Sequence, residues 1–185
     1  MKIAGIANGG HDGAYAIFEN GVPLIHEENE RITRIKESAG NPFQLLLDRY
    51  KKCEELEYIT AFISRWKGGP QTLWPESYEK VLNLPAKYIE LGHHRCHAAN
   101  AFYSSNFDEA LIITMDGGGE DDDGDGIVPT YDKSGWLHKD NNIYSTTFTI
   151  YFGEGNKITK LMNMPIDFNI GSLWSKFTKD VFGLS

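Results

Sequence analysis

Two cysteines, Cys53 and Cys96, are all that this 185-residue chain contains, too few for the disulfide framework of a small secreted scaffold. No apolar run approaches the ~20 residues that span a bilayer, and the opening "MKIAGIANGG" breaks into glycine too soon for a secretory leader. The expectation is a cytoplasmic protein without a membrane partner. Basic charge is scarce: 18 Lys and Arg stand against 26 Asp and Glu, a net charge of −8. That balance argues against a nucleic-acid partner held by a broad positive surface, although Arg31, Arg34 and Lys36 could form a local basic patch. Low-complexity linkers and sequence repeats are missing too.

What is present suits a packed globular chain. Apolar residues make up 41% and aromatics 12%, enough to build a core and to argue against disorder. "KIAGIA" and "AYAIF" read as strands, and Asn20-Gly21 is a two-residue hairpin signal leading into "VPLIHEE". Asn41 and Pro42 open a helix as N-cap and first helical residue, with Phe43, Leu46, Leu47 and Tyr50 at helical spacing through "NPFQLLLDRYKKC". Further strands are expected over residues 57–64, 86–92 and 109–120, a helix from Pro75 to Leu82, and a hairpin about Gly153 to Asn156. A closing helix over Ile170 to Phe182 would present Leu173, Trp174, Phe177 and Val181 as its apolar stripe. A meander followed by alternating helices and strands predicts an α/β ribonuclease-H-like lobe, with a mixed sheet flanked by helices. This is the lobe of the sugar-kinase, actin and heat-shock ATPase architecture.

Three of the six histidines fall in "GHHRCHAANAF". In a helix starting near His93, His93 and His97 share a face one turn apart, while His94 points about 100° away. A lone HxxxH pair would read as surface histidines at a helix start. Asp116 changes the balance, because it ends the apolar strand "ALIITM" and precedes Gly117, Gly118 and Gly119. A carboxylate at the end of a buried strand faces the region where α/β proteins bind ligands, and glycine amides there can cradle phosphate oxygens. Two imidazoles and a carboxylate form a metal shell with open positions. In "NGGHDGAYAIF", His11 and Asp12 occupy the first turn, where His11 could act as a general base; a hairpin with polar tips fits that composition equally. "DDDGDGIVPTYD" has the spacing of a calcium loop, but Pro129 interrupts it and a solvated acidic loop fits better. Cys96 points off the shared histidine face and reads as packed.

Four segments together resemble the nodulation-type and antibiotic-pathway O-carbamoyltransferases. "GHHRCHAANAFYSSNFDEALIITMDGGGE" is similar to their GHHxxHAxxAFYxSxF followed by a strand and DGxGE. "IAGIANGGHDGAYAIFENG" resembles their opening HD turn, "HEENERITRIK" their EEERFTRxK segment, and "IGSLWSKFTKDVFG" a later helix. The HxxxH motif is shared with the threonylcarbamoyltransferase of tRNA, a more distant relative. The resemblance implies a divalent metal, iron(II), on His93, His97 and Asp116, with a further acidic ligand in a second lobe. It implies His11, with Asp12, as the catalytic pair, and ATP or carbamoyl-adenylate as cofactor, held by Gly117, Gly118, Gly119, Arg31 and Lys36. Carbamoyl-adenylate, made from carbamoyl phosphate and ATP in a YrdC-like domain, would pass its carbamoyl group to a small-molecule hydroxyl acceptor.

Two departures accompany the likeness. The chain is expected to be one lobe, 1–185, lacking the second lobe and the YrdC-like domain. It would then be a piece of a longer enzyme, one half of a split enzyme that needs a complementary chain or self-association, or a remnant. An acidic insertion at about 121–144 also follows DGGGE. The alternative is a metal- or nucleotide-binding module without turnover. A sugar-kinase-like lobe is disfavoured by HxxxH, because such kinases hold magnesium through carboxylates and phosphates.

Overall fold

The computed structural model describes residues 1–9, 11–64, 70–122, 127–128, 143–165 and 170–183. The described residues group into two compact units: Met1–Glu90 with Val128, and Leu91–Ile127 with the described residues from Ile143 onward.

The first unit is built on a mixed sheet. Strands β1 (Lys2–Ala7), β2 (Ala14–Glu19) and β3 (Val22–Glu28) form an antiparallel meander. Asn20 and Gly21 both take positive φ, 51° and 82°, which matches the right-handed twist of the flanking strands. A short helix α1 (Asn29–Thr33) and helix α2 (Pro42–Arg49) carry the chain to β4 (Tyr58–Phe62), which pairs with β1 in parallel. Helices α3 (Pro70–Leu73) and α4 (Pro75–Leu82) lead to β5 (Lys87–Leu91). The order β3-β2-β1-β4-β5, with the two-residue β7 (Ile127–Val128) at its edge, gives the mixed α/β, ribonuclease-H-like class expected from the sequence.

The strand period of two sets the core face. Ala4 and Ile6 of β1, Tyr15 and Ile17 of β2, and Ile59 and Ala61 of β4 are buried in one cluster. Phe43 and Leu46 of α2 and Tyr78 and Val81 of α4 close it, with the Phe43 and Tyr78 rings edge to face at 5.2 Å. Asn41 caps α2 as expected, accepting from the Gln44 amide at 3.0 Å. The helix stops at Arg49 rather than running to Cys53, which instead starts a 3-10 turn, Cys53–Glu55.

The second unit contains helix α5 (His93–Tyr103) and an antiparallel sheet in the order β6-β8-β9. Its strands are β6 (Glu109–Asp122), β8 (Ile143–Glu154) and β9 (Lys157–Pro165). Ala98 and Phe102 of α5 pack on Ile112, Tyr151 and Ile158. The small alanines of the motif therefore let the helix approach the sheet. The last helix, α6 (Ile170–Lys176), continues as a π-helical turn, Phe177–Val181. Its stripe is not the buried one expected: Leu173, Trp174, Phe177 and Val181 are all exposed, Trp174 by 76%. Helical spacing locates a stripe but does not supply a surface to bury it. The acidic insertion lies mostly outside the described residues, as does the calcium-like loop beyond Asp122. Asp121 itself is fully buried in β6, so it is not a solvated loop residue.

The turn between β1 and β2 is fastened to the segment before α2. The amides of Asp12 and Gly13 donate to the carbonyls of Glu37 and Ser38 at 3.4 and 3.1 Å. A Cβ on Gly13 would lie 1.7 Å from the Ala39 carbonyl oxygen, so only glycine permits this approach. Gly13→Ala is expected to destabilise the protein by about 1–3 kcal/mol, as overpacking does, measured as a lower urea midpoint. An unchanged midpoint would show that the two segments do not meet this closely.

Candidate metal centre

The site begins with a turn of helix and a bulge in a strand. Gly92 follows β5 and serves as the N-cap of α5, so His93 is the first helical residue and His97 lies one turn on. β6 pairs regularly with β8 up to Met115↔Phe148 and resumes at Gly119↔Thr146. Between these pairs β6 has three residues, Asp116, Gly117 and Gly118, where β8 has only Thr147. The excess lifts Asp116 out of the ladder, which is what a bulge does to re-aim a side chain.

Three ligand atoms then converge. His93 Nε2 is 2.7 Å from Asp116 Oδ2, His97 Nε2 is 3.3 Å from the same oxygen, and the two Nε2 atoms are 3.1 Å apart. Hydrogen bonding alone serves this cluster badly. Each nitrogen would have to donate to the carboxylate, leaving two N–H groups facing each other. The alternative is that one ring presents a lone pair to an anion. A divalent cation accepts all three lone pairs at once. Metal–ligand bonds of ~2.0–2.2 Å place neighbouring donors roughly 2.9–3.4 Å apart. The two longer separations already match, and the shortest needs to open by a few tenths of an ångström. The donor set therefore fits a metal, and these are the residues that would hold it. Open coordination positions would remain, as a substrate-binding site needs.

Burial pushes the Asp116 carboxyl upward, but the His93 hydrogen bond, the Gly117 amide and the charges of the two imidazoles outweigh it. The group therefore lies below its ordinary value and stays ionised, as a ligand must. Gly117 donates its amide to Asp116 Oδ1 at 2.6 Å, orienting the carboxylate. Gly119 makes room for His93: a Cβ there would lie 2.2 Å from ring carbons Cγ and Cδ2. Two of the three glycines expected to cradle a phosphate thus also shape the ligand set.

His94 turns away from the cluster and is fully buried. Its Nε2 is 3.0 Å from the Thr146 carbonyl and its Nδ1 2.8 Å from the Thr114 hydroxyl. A carbonyl only accepts, so Nε2 carries the hydrogen and Nδ1 accepts from Thr114. Burial lowers the pKa of this imidazole; the Thr146 carbonyl opposes the shift, and the charges of His93 and His97 add to it. The sequence assigned no role to His94 or Thr114, and only the run of three histidines hinted at one. Cys96 is not among the converging groups. Burial, followed by the charge of Asp121, pushes its thiol up to about 12. Burial also raises the Cys53 thiol, which donates to the Tyr50 carbonyl at 2.9 Å.

The remaining expected site residues belong to the first unit. His11 Nδ1 lies 2.7 Å from Asp12 Oδ2, with both side chains exposed. If the carboxylate holds the hydrogen on Nδ1, Nε2 is left as the basic atom. Asp12 takes φ of 52°, a left-handed conformation that aspartate tolerates better than most residues. Arg31 pairs with Glu28 at 3.0 Å and Glu30 at 3.6 Å, and Lys36 pairs with Glu30 at 3.6 Å. The local basic patch is therefore offset by its own acidic neighbours.

No family model matches the chain. It is similar to the uncharacterized protein sll1178 of Synechocystis sp., 27% identical over 216 residues, covering 95% of this chain and 31% of that protein. It is also similar to the uncharacterized protein MJ1051 of Methanocaldococcus jannaschii, 28% identical over 121 residues, covering 64% and 22%. The chain thus spans less than a third of the length of these curated relatives. Among solved structures, HypF of T. kodakarensis superposes with a TM-score of 0.52 at 14% identity, over 88% of this chain and 18% of that one. This is a likeness of fold. EutJ of Carboxydothermus hydrogenoformans gives a TM-score of 0.44 at 14% identity, over 100% of this chain and 58% of that one. No helix among the described residues is long and apolar enough to cross a membrane.

Two outcomes follow from the geometry. Gly119→Ala is expected to drive His93 from Asp116 and cost about 1–3 kcal/mol. Gly117→Ala, whose Cβ meets nothing within 4 Å, serves as a mild control; equal urea midpoints for the two would contradict the packing. The second outcome concerns pH. His94 has a folded pKa below its ordinary 6.5, so the unfolded state takes up the proton first. Its contribution to stability is whole above that value and declines as pH falls below it. The Asp116 contribution is present above 3.8 and is lost only as pH falls through its lower folded value. Urea midpoints measured from pH 8 to 5 are expected to drop, and His94→Gln to reduce the drop.

Proposed function

We propose that the chain is the amino-terminal part of an O-carbamoyltransferase-like enzyme, which moves a carbamoyl group from carbamoyl-adenylate to a substrate hydroxyl. The observation that carries this reading is the convergence of His93, His97 and Asp116, the same three residues on which the motif resemblance places a metal. The order of the four motifs along the chain supports it. The whole activity, the hydroxyl acceptor, the use of carbamoyl phosphate and ATP, and a cytoplasmic location all belong to the proposal. So does a contribution from residues in a longer or complementary chain.

In the reaction, the acceptor oxygen attacks the carbamoyl carbon and the bond from that carbon to the adenylate oxygen breaks. The products are the O-carbamoyl ester and AMP. The hydroxyl proton goes to His11 Nε2, while Asp12 holds the Nδ1 hydrogen and keeps the ring in the basic tautomer. A bound divalent metal, iron(II) in this reading, would supply Lewis acidity toward phosphate oxygens. His93, His97 and Asp116 would hold it, with Gly117, Gly118 and Gly119 as the stretch that the resemblance assigns to the nucleotide. The resemblance assigns Arg31 and Lys36 to the nucleotide, and both side chains are exposed.

Purified protein is expected to carry about one equivalent of a transition metal by elemental analysis, and His93→Ala to lose it. With carbamoyl phosphate, ATP, an acceptor and the chain that completes the enzyme, His11→Ala is expected to lower kcat by about 10²–10⁴-fold. Metal content should be unchanged in that variant. Metal-free wild-type protein that cannot be loaded would end the site assignment. Full turnover by His11→Ala would end its role as base.

A further inference from the structure

We infer that His94 is a positioning residue that fastens α5 to both sides of the β6 bulge and so sets His93 and His97 against Asp116. The inference rests on the reading of those three residues as a metal site.

Both bonds of the His94 ring go to the strands that frame the bulge. Thr114, on Nδ1, lies two residues before Asp116. Thr146, on Nε2, stands opposite Gly119, where the ladder resumes. One imidazole thus ties the helix to the sheet immediately before and immediately after the looped-out residues. Apolar packing could not do this. Ala98 and Phe102 hold the helix at its distance from the sheet, but contact between apolar surfaces is not directional. Sliding the helix by a fraction of an ångström would keep that packing and spoil the convergence of ligand atoms. The two hydrogen bonds fix both the rotation and the shift. The Thr149 carbonyl lies 3.2 Å from the same Thr114 oxygen and competes with Nδ1 for its single hydrogen. Gly119 leaves room for the His93 ring, which a Cβ there would meet at 2.2 Å.

The test uses cobalt(II) as probe on the full chain, followed through its d–d absorption. Melting of the metal-free protein is measured in parallel. Thr114→Val preserves shape and removes the hydroxyl; Thr114→Ser restores it. Wild-type protein and Thr114→Ser are expected to bind cobalt within about threefold of each other. Thr114→Val is expected to weaken binding by about 10–100-fold, as losses behind a metal ligand do, with a shifted d–d band in protein that is still folded. A purely structural role would lower the melting temperature and leave affinity and band unchanged; that result overturns the inference and leaves the metal site standing. Failure of the wild type to bind cobalt overturns both. Ring nitrogen shifts of His94 in the wild type provide a readout independent of any variant. Hydrogen on Nε2 is expected, and hydrogen on Nδ1 overturns the inference.

Discussion

The second unit is organised around a mismatch of length: β6 has three residues where β8 has one. A regular ladder would have held Asp116 to the alternation of its neighbours, whose side chains are buried and exposed in turn. The surplus frees it, and the cost of interrupted pairing is confined to a glycine-rich stretch that has little side-chain packing to lose. The helix meets this irregularity with its first turn, where its backbone amides have no partners within the helix. His93 opens its helix and Asp116 sits in an interruption inside its strand, two places where a side chain can leave the regular pattern without breaking a core.

The first unit solves a related problem differently. In its opening turn His11 and Asp12 are largely exposed. Backbone hydrogen bonds from the segment ahead of α2 hold the turn from behind. The close pass at Gly13 and Ala39 makes that bracing rigid. Buried Asn29 adds to it, donating to the Ser38 hydroxyl at 2.7 Å while its amide donates to the Gly13 carbonyl at the same distance. A polar pair in water can therefore keep a defined backbone while its side chains stay accessible.

Much of this could be read along the chain. The Asn-Gly hairpin, the Asn41 cap with Pro42 behind it, and the i, i+4 histidines are local signals, and each fixes geometry within a few residues. The meeting of His93 with Asp116 was legible only as a coincidence of two unusual motifs. The bulge that produces it depends on pairing with β8, more than two dozen residues further on, and no local pattern encodes that register. The work of Thr114 was hidden for another reason. A threonine inside "ALIITM" is an ordinary strand former, and nothing nearby marks its hydroxyl as engaged. The exposed stripe of α6 shows the opposite limit, since periodicity reports a face but not what lies against it.

The two thiols have a practical consequence. Both lie above the ordinary range, Cys96 through burial and the adjacent Asp121 charge and Cys53 through burial. Thiolate, the reactive form toward alkylating agents and peroxide, is therefore scarce at neutral pH. Toward maleimide labels the folded chain is expected to react slowly, with Cys53 buried and Cys96 partly buried. A single cysteine engineered on the surface could then carry a fluorophore or spin label without removal of the native pair.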